Sequence, residues 1–195
     1  DDERLQNGMR RLYSIFQDAP TLGSLISPLF YDADLYTASF SELEPLIKKL
    51  FVNGGDAQTA ERGVVAYGIV QAAQILSKRY TLVTTNVPYL GRASQNERMM
   101  SYCEENYPAA KSDLATVFVE RCTALTTDGG TSAVVSPQNW LFLVSYADFR
   151  RKMLQTTDWN VVVRLGADAF WTPMWDFNTM LIVVSNATDE DSGAF

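Results

Sequence analysis

Histidine does not occur among the 195 residues of the chain, and this absence excludes several common kinds of active site. The usual Ser-His-Asp and Cys-His nucleophile systems depend on it, as do the usual zinc sites. Cysteine is nearly as scarce, because only Cys103 and Cys122 occur. Nothing in the sequence resembles a signal peptide. We therefore expect two free thiols in the reducing cytoplasm, no disulfide framework and no metal site.

Positive charge and long apolar runs are also in short supply. The chain has 16 Lys and Arg against 23 Asp and Glu, a net charge of -7. Phosphate neutralisation supplies most non-specific affinity for DNA, so other segments or partners would have to supply much of the positive surface. No apolar run reaches about 18 residues, which argues against a membrane-spanning helix. The 47% hydrophobic content still suffices for a folded core.

Residues 1–79 have a helical pattern. Leu5, Met9, Leu12 and Phe16 recur at helical spacing and predict a first helix, which Asp18–Pro20 ends. A Ser-x-x-Glu pattern at 41–44 predicts the start of a second helix. A stretch rich in Ala and other small residues predicts a third helix over 56–78.

Residues 80–186 instead alternate between strand and helix patterns. Strands are predicted at 80–85, 131–136, 161–165 and 179–185, and helices at 95–106, 113–125 and 142–155. Gly129 and Gly130 are interpreted as the turn that terminates the helix before them. This alternation predicts an α/β fold with a largely parallel sheet and helices on both faces. The last two strands are expected to form an antiparallel hairpin at the sheet's edge, and 187–195 a flexible acidic tail.

Four residues at the end of the first predicted strand, Asn86, Val87, Pro88 and Tyr89, carry the chemistry and are called the tetrad below. Ligands of open α/β sheets bind beyond the carboxyl ends of the strands, which is where the tetrad falls. It offers an amide side chain, a backbone carbonyl held by the following proline, and an aromatic face. Together these groups can accept two hydrogen bonds from an amino group and stack on a planar ring. A strand-ending turn is the structural alternative.

The tetrad resembles the Asn-Pro-Pro-Tyr motif of amino-methyltransferases that use S-adenosylmethionine. With its context, the region from about Tyr80 to Ser185 resembles the N6-adenine DNA methyltransferase core of PglX-type phage-defence proteins and related single-chain restriction–modification methylases. The segments that carry this resemblance are Thr85–Arg92, Gln95–Glu97, Ala110–Phe118, Gly129–Gly130, Ser136–Leu141 and Arg164–Phe170.

The resemblance implies a partial Rossmann-like fold and a division of the chain into three parts. Residues 1–79 would be a helical insertion before the motif strand, and 80–186 the C-terminal half of the catalytic domain. The glycine-rich cofactor loop that the family places before the tetrad does not occur in this sequence. We therefore expect a catalytic-domain fragment with part of the cofactor pocket, inactive in isolation. Its partners would be double-stranded DNA, bound through other parts of the parent protein, and other defence-system subunits.

The resemblance also implies roles for individual residues. Asn86 and Val87 would accept the two N–H bonds of adenine N6. Pro88 follows them in the motif, and Tyr89 would stack on the base. Asp113 would lie near the cofactor, although a helix N-cap explains it as well. Three further residues, Gln138, Asn139 and Trp140, would line the substrate cleft, with a polar loop and a packed tryptophan as the alternative.

Two other functions remain open from the sequence alone. A protein glutamine N5-methyltransferase would use the same tetrad, because a glutamine side chain also presents a planar amino group. A catalytically inactive methyltransferase-like binding module would account for the missing glycine loop and for valine where the family most often has proline.

Overall fold

The computed structural model describes residues 2–28, 45, 57–166 and 178–187, and the statements below concern these residues. The chain divides into two compact units, Asp1–Lys78 and Arg79–Phe195. The helix predicted after the Ser-x-x-Glu pattern and the tail beyond residue 187 lie outside the described residues.

The first unit is helical, as its sequence period predicts. Its helices are α1 (Asp2–Phe16), α2 (Ala19–Leu22) and α3 (Ala57–Ser77). The apolar stripe of α1 buries Leu12, Ile15 and Phe16, and α1 packs on α3. The chain does turn at Asp18–Pro20, but Pro20 also opens α2. Proline suits a first turn because it has no N–H to leave unpaired.

The second unit holds a four-stranded sheet and three helices. Its elements in chain order are β1 (Tyr80–Asn86), α4 (Glu97–Asn106), α5 (Leu114–Ala124), β2 (Thr126–Pro137), α6 (Ala147–Thr156), β3 (Thr157–Gly166) and β4 (Thr179–Asn186). The strand order is β1-β2-β4-β3. The α/β fold that the sequence predicts, a sheet combined with helices, is therefore confirmed.

Strand direction corrects one part of the prediction. β1 and β2 run parallel, whereas β4 runs antiparallel to both β2 and β3. The sheet is thus not largely parallel, because β4 enters between two strands that share a direction. The antiparallel pairing of the last two strands is as predicted, with β3 outermost. Since β1, β2 and β3 point the same way, Asn86, Pro137 and Gly166 all lie at one end, called the carboxyl end below.

Helices α5 and α6 lie over the same face of the sheet, which corrects for these two helices the prediction that both faces are covered. Lys152 of α6 forms an ion pair with Glu120 of α5, and Trp159 of β3 contacts Trp140, which packs on Phe149 of α6. Right-handed crossovers that proceed in one direction across a sheet place both helices on one side. On the opposite face Leu82 of β1 and Val163 of β3 are exposed.

Two element boundaries differ from the sequence prediction. α5 ends at Ala124, and Gly129 and Gly130 lie inside β2. They sit where the register with β1 jumps from Tyr80↔Thr126 to Leu82↔Thr131, and Gly129 absorbs the extra residues with a φ of 67°. The helix predicted from Phe142 begins only at Ala147, because 3₁₀ turns occupy Asn139–Leu141 and Val144–Tyr146.

Glycine at position 130 is required by close packing, and its replacement gives a stability test. A Cβ there would lie 2.8 Å from Thr127 Oγ1 and 2.9 Å from the Thr127 carbonyl oxygen. We expect Gly130→Ala to lower the free energy of unfolding by about 1–3 kcal/mol. Gly91→Ala is the matched control, since its Cβ would meet only Asp113 Oδ2 at 3.9 Å. Equal urea midpoints for the two variants would contradict the packing argument.

The buried thiol of Cys122 predicts a pH dependence of stability. Burial raises its pKa from 9.0 to about 11, against the opposing effect of the Arg121 charge. The folded state therefore holds this proton more tightly than the unfolded chain does. The resulting stability is fully present below pH 9 and is lost as the pH rises toward 11. In urea titrations across this range, wild type should lose stability more steeply than Cys122→Ala; parallel losses would contradict the assignment.

Candidate active site

The tetrad forms the carboxyl end of β1, and its first three side chains alternate between exposed and buried. Asn86 is the last strand residue, and its side chain is exposed, as is that of Pro88. Between them, Val87 is only 3% exposed, and its N–H donates to the Val135 carbonyl at 3.2 Å. The β1–β2 ladder therefore continues one residue into the tetrad. Proline, the family's commonest residue here, has no N–H and could not form this hydrogen bond.

Tyr89 contacts the amide that the mechanism would use. Its hydroxyl donates to Asn86 Oδ1 at 3.0 Å. Burial raises the pKa of Tyr89, so the hydroxyl stays protonated and can act as a donor. This hydrogen bond places the Tyr89 hydroxyl beside the amide oxygen of Asn86. An amide oxygen has two lone pairs, and one remains for a second donor.

Leu90, the residue after the tetrad, is held through its carbonyl. This carbonyl accepts from the Leu114 N–H at 3.0 Å and from Gln95 Nε2 at 3.1 Å. The Leu90 N–H faces the Asp113 carboxylate and lowers the pKa of that group. Gln95 is 6% exposed, so its amide is packed rather than solvated. These bonds attach the end of the tetrad to the start of α5, an arrangement called the Leu90 clamp below.

Asp113, which the resemblance assigns to the cofactor, is the N-cap of α5. Its side chain accepts from the Ala115 N–H at 2.8 Å, and the Leu90 N–H also faces it. Burial raises the pKa of this carboxyl more than these two N–H groups lower it. One carboxylate therefore caps the helix and holds the tetrad's flank, and its contact with a cofactor stays a prediction.

The loop after β2 also starts at the carboxyl end of the sheet. The Gln138 N–H donates to the Asn178 carbonyl at 2.9 Å, and Gln138 Oε1 accepts from Arg164 Nε at 2.6 Å. Asn139 is exposed. For both residues, contact with a substrate stays a prediction. The sequence-based set omitted Arg164, although it opens the last of the matching segments.

Trp140 has a different place from the one predicted. It is 1% exposed and donates from Nε1 to Ser136 Oγ at 3.1 Å. Its ring packs against Phe149 and Trp159, with centroids 5.1 and 5.8 Å away. A side chain enclosed on all sides does not face a substrate, so the assignment of Trp140 to the cleft is corrected to a core position. This is the packed tryptophan that the sequence left open.

Among the residues placed by the structure, no cluster of acidic or cysteine side chains has the grouping needed to hold a metal ion. No helix in the same part of the chain is long and apolar enough to span a bilayer.

Comparison with known families decides the classification. The family model described as Eco57I restriction-modification methylase matches residues 27–170, most of the chain. The chain belongs to this family. The Eco57I methylase match includes the tetrad, the Leu90 clamp and the loop after β2.

Two curated relatives agree with this membership. The chain is 32% identical over 162 residues, or 83% of its length, to the adenine-specific methyltransferase BrxX of Escherichia coli O9:H4 strain HS. It is 34% identical over 104 residues, or 52% of its length, to the adenine-specific methyltransferase PglX of Lacticaseibacillus casei strain Zhang. The PglX-type resemblance found in the sequence is thereby confirmed. The chain spans 13% and 8% of these two relatives.

Solved structures match more distantly. The M protein of the type I restriction enzyme EcoKI aligns over 76% of this chain and 37% of its own, with 14% identity and a TM-score of 0.41. A proposed class I S-adenosylmethionine-dependent methyltransferase of Listeria monocytogenes aligns over 93% of this chain and 58% of its own, with 11% identity and a TM-score of 0.48. Membership in the Eco57I family therefore depends on the sequence match.

The double duty of Asp113 can be tested by substitution. Asp113→Ala removes the cap and the carboxylate that faces the Leu90 N–H, so we expect the free energy of unfolding to fall by about 1 kcal/mol or more. Asp113→Asn keeps a side-chain oxygen and should lie within about 0.5 kcal/mol of wild type, because asparagine caps helices as well as aspartate does. Chemical denaturation measures both. Equal losses in the two variants would show that the charge, rather than the cap, stabilises this turn.

Proposed function

We propose that this chain is part of the catalytic domain of a DNA adenine-N6 methyltransferase of a restriction–modification or phage-defence system. The observation that carries the proposal is the tetrad itself. Asn86 Oδ1 and the Val87 carbonyl are two neighbouring acceptors at the carboxyl end of β1, held in place by the Leu90 clamp. The family match and the names of the two relatives support the same reaction.

Two acceptors are what a planar amino group needs in order to become a nucleophile. The lone pair of adenine N6 is delocalised into the ring, which makes the nitrogen unreactive. Asn86 and Val87 would each accept one of its N–H bonds and localise the lone pair on nitrogen. They would also face the positive charge that develops there during attack, which is preorganised electrostatic stabilisation. No histidine base is required, because the proton can leave to water afterwards.

The tetrad suits a reaction with S-adenosylmethionine at the same end of the sheet. When bound, this cofactor supplies an electrophilic methyl group on a positively charged sulfur. Asn86 is exposed, and its Oδ1 has a second lone pair beside the Tyr89 hydrogen bond, so an amino group can reach Oδ1 without a rearrangement of the strand. We propose Asp113 as the residue on the cofactor side, where its carboxylate has lone pairs beyond those used by Leu90 and Ala115.

The substrate sets further requirements. An adenine inside a duplex must be flipped out of the stack before its N6 reaches the tetrad. The half-buried ring of Tyr89 would then stack on the flipped base. We propose double-stranded DNA and other defence-system subunits as partners, bound largely through other parts of the full-length protein. The site of action would be the cytoplasm.

The decisive experiment uses the full-length protein that carries this chain. It is incubated with methyl-labelled S-adenosylmethionine, unmethylated DNA and cell protein, beside an Asn86→Ala variant. We expect label on DNA adenine, and a loss of at least about 100-fold in the variant because one acceptor is gone. Asn160→Ala is the matched control, because this exposed amide on β3 contacts only Ser185 Oγ among the bonds described.

The other outcomes would replace the proposal. Label on protein glutamine instead of DNA would identify a glutamine N5-methyltransferase. An absence of both label and cofactor binding would favour an inactive binding module. Label on DNA that survives Asn86→Ala would place the chemistry elsewhere.

A further inference from the structure

Three consecutive apolar side chains project into solvent in the loop after β2. Phe142 is 63% exposed, Leu143 50% and Val144 87%. These three residues are called the apolar crest below. Their exposure contrasts with Trp140 and Tyr146, which flank them and are buried at 1% and 6%. Exposure of three adjacent large apolar residues to water is unfavourable in free energy. Such a patch commonly marks a binding surface, so we expect the crest to bind a partner.

The crest is held rigidly on a packed base. Arg150 Nη1 donates to the Trp140 carbonyl and to the Leu143 carbonyl, each at 2.7 Å. The N–H groups of Phe142 and Leu143 both donate to the Asn139 carbonyl, at 3.1 and 3.0 Å. Trp140 anchors the start of the loop by packing on Phe149 and Trp159. A loop fixed in this way loses little conformational entropy when it binds.

The crest belongs to the same end of the sheet as the tetrad. Its loop leaves β2 at Pro137, and β2 is the parallel neighbour of β1 with Asn86 opposite Val135. The far end of the loop returns toward the Leu90 clamp, because Tyr146 lies close enough to Asp113 to sense its charge. Burial raises the pKa of Tyr146, and the Asp113 carboxylate raises it further.

Positive charge accompanies the crest in an otherwise acidic chain. Arg150 contacts the loop through backbone carbonyls, and Arg164 contacts it through the Gln138 amide. Both guanidinium groups thus bond to neutral acceptors, and no carboxylate pairs with either one among the described contacts. The whole chain, these two arginines included, has a net charge of -7, which repels DNA on average. Two cations beside an apolar projection therefore mark this loop as the place that suits a polyanion with an apolar interior.

We propose that the apolar crest inserts into the DNA duplex beside the target adenine and fills the space that the flipped base leaves. Apolar side chains such as Phe and Leu are used in this way by proteins that unstack base steps. Arg150 and Arg164 contact the neighbouring phosphates. This inference rests on the proposed function and deepens it, since it names the surface that stabilises the flipped state.

The test compares two duplexes with the full-length protein. Both carry its target sequence, found by mapping N6-methyladenine in host DNA. In one duplex the target adenine is paired, and in the other it faces an abasic site, so that little flipping energy is required. The variant replaces the crest by Phe142→Ser, Leu143→Ser and Val144→Ser. Leu154→Ser is the control, because this apolar residue of α6 is equally exposed, at 64%, and lies outside the loop.

The crest variant should lose roughly 10- to 100-fold in kcat/KM on the paired duplex, which corresponds to the few kcal/mol that flipping costs. On the duplex with the abasic site it should stay within about threefold of wild type. Fluorescence of 2-aminopurine at the target position should fall in parallel, because less of the base is unstacked. Leu154→Ser should match wild type on both duplexes, and thermal melting checks that every variant is folded.

Two results would overturn the crest proposal alone. An equal loss on both duplexes would mean that the crest instead docks another part of the full-length protein. No loss on either would mean that the crest does not contact DNA at this step. If wild type methylates neither duplex, the proposed function fails and the crest proposal fails with it, and this outcome is distinct from the other two.

Discussion

The hold that α5 has on Leu90 is the constraint on which the candidate site depends. A strand that ends in solvent can fray, and acceptors at its tip would then lose their positions. Here the carbonyl of the next residue, Leu90, is fixed by Leu114 and Gln95, and its N–H faces the Asp113 carboxylate. The first N–H groups of a helix have no acceptor within the helix and must be paired with acceptors from outside it. The same turn of helix thus satisfies its own capping requirement and immobilises the end of β1.

Strand direction then gathers the remaining parts at one place. The two crossovers through α5 and α6 bring β1, β2 and β3 out at the same end, so the tetrad, the loop after β2 and Arg164 converge there. The Arg164–Gln138 hydrogen bond then joins β3 to the loop after β2. Beneath them, Trp140, Phe149 and Trp159 form a solid base. The packed aromatic residues below stabilise this end of the sheet, while Asn86, Asn139 and the apolar crest remain exposed at its surface.

Sequence patterns predict the elements well and the contacts less well. The periods of 2 and 3.6 locate β1, α5 and β4 closely, and the tetrad stands out because its residue types are unusual for a strand end. Trp140 shows the limit, since exposure of one aromatic residue depends on Phe149 and Trp159, which are distant in sequence. Gly129 and Gly130 led to a wrong prediction of a helix-ending turn. Glycine indicates an unusual backbone conformation, but it does not distinguish a helix end from an irregular strand. Gln95 and Arg164 act through partners that only the fold brings near.

Valine at position 87 has a practical consequence for the study of this site. Its N–H is bonded to Val135 and its side chain is buried, so the tetrad contains a backbone proton sheltered within the sheet. A tetrad with proline at that position has no such proton. The residue whose carbonyl is meant to face the substrate therefore has its own nuclear magnetic resonance signal, and its amide exchange rate reports directly how often the end of β1 opens.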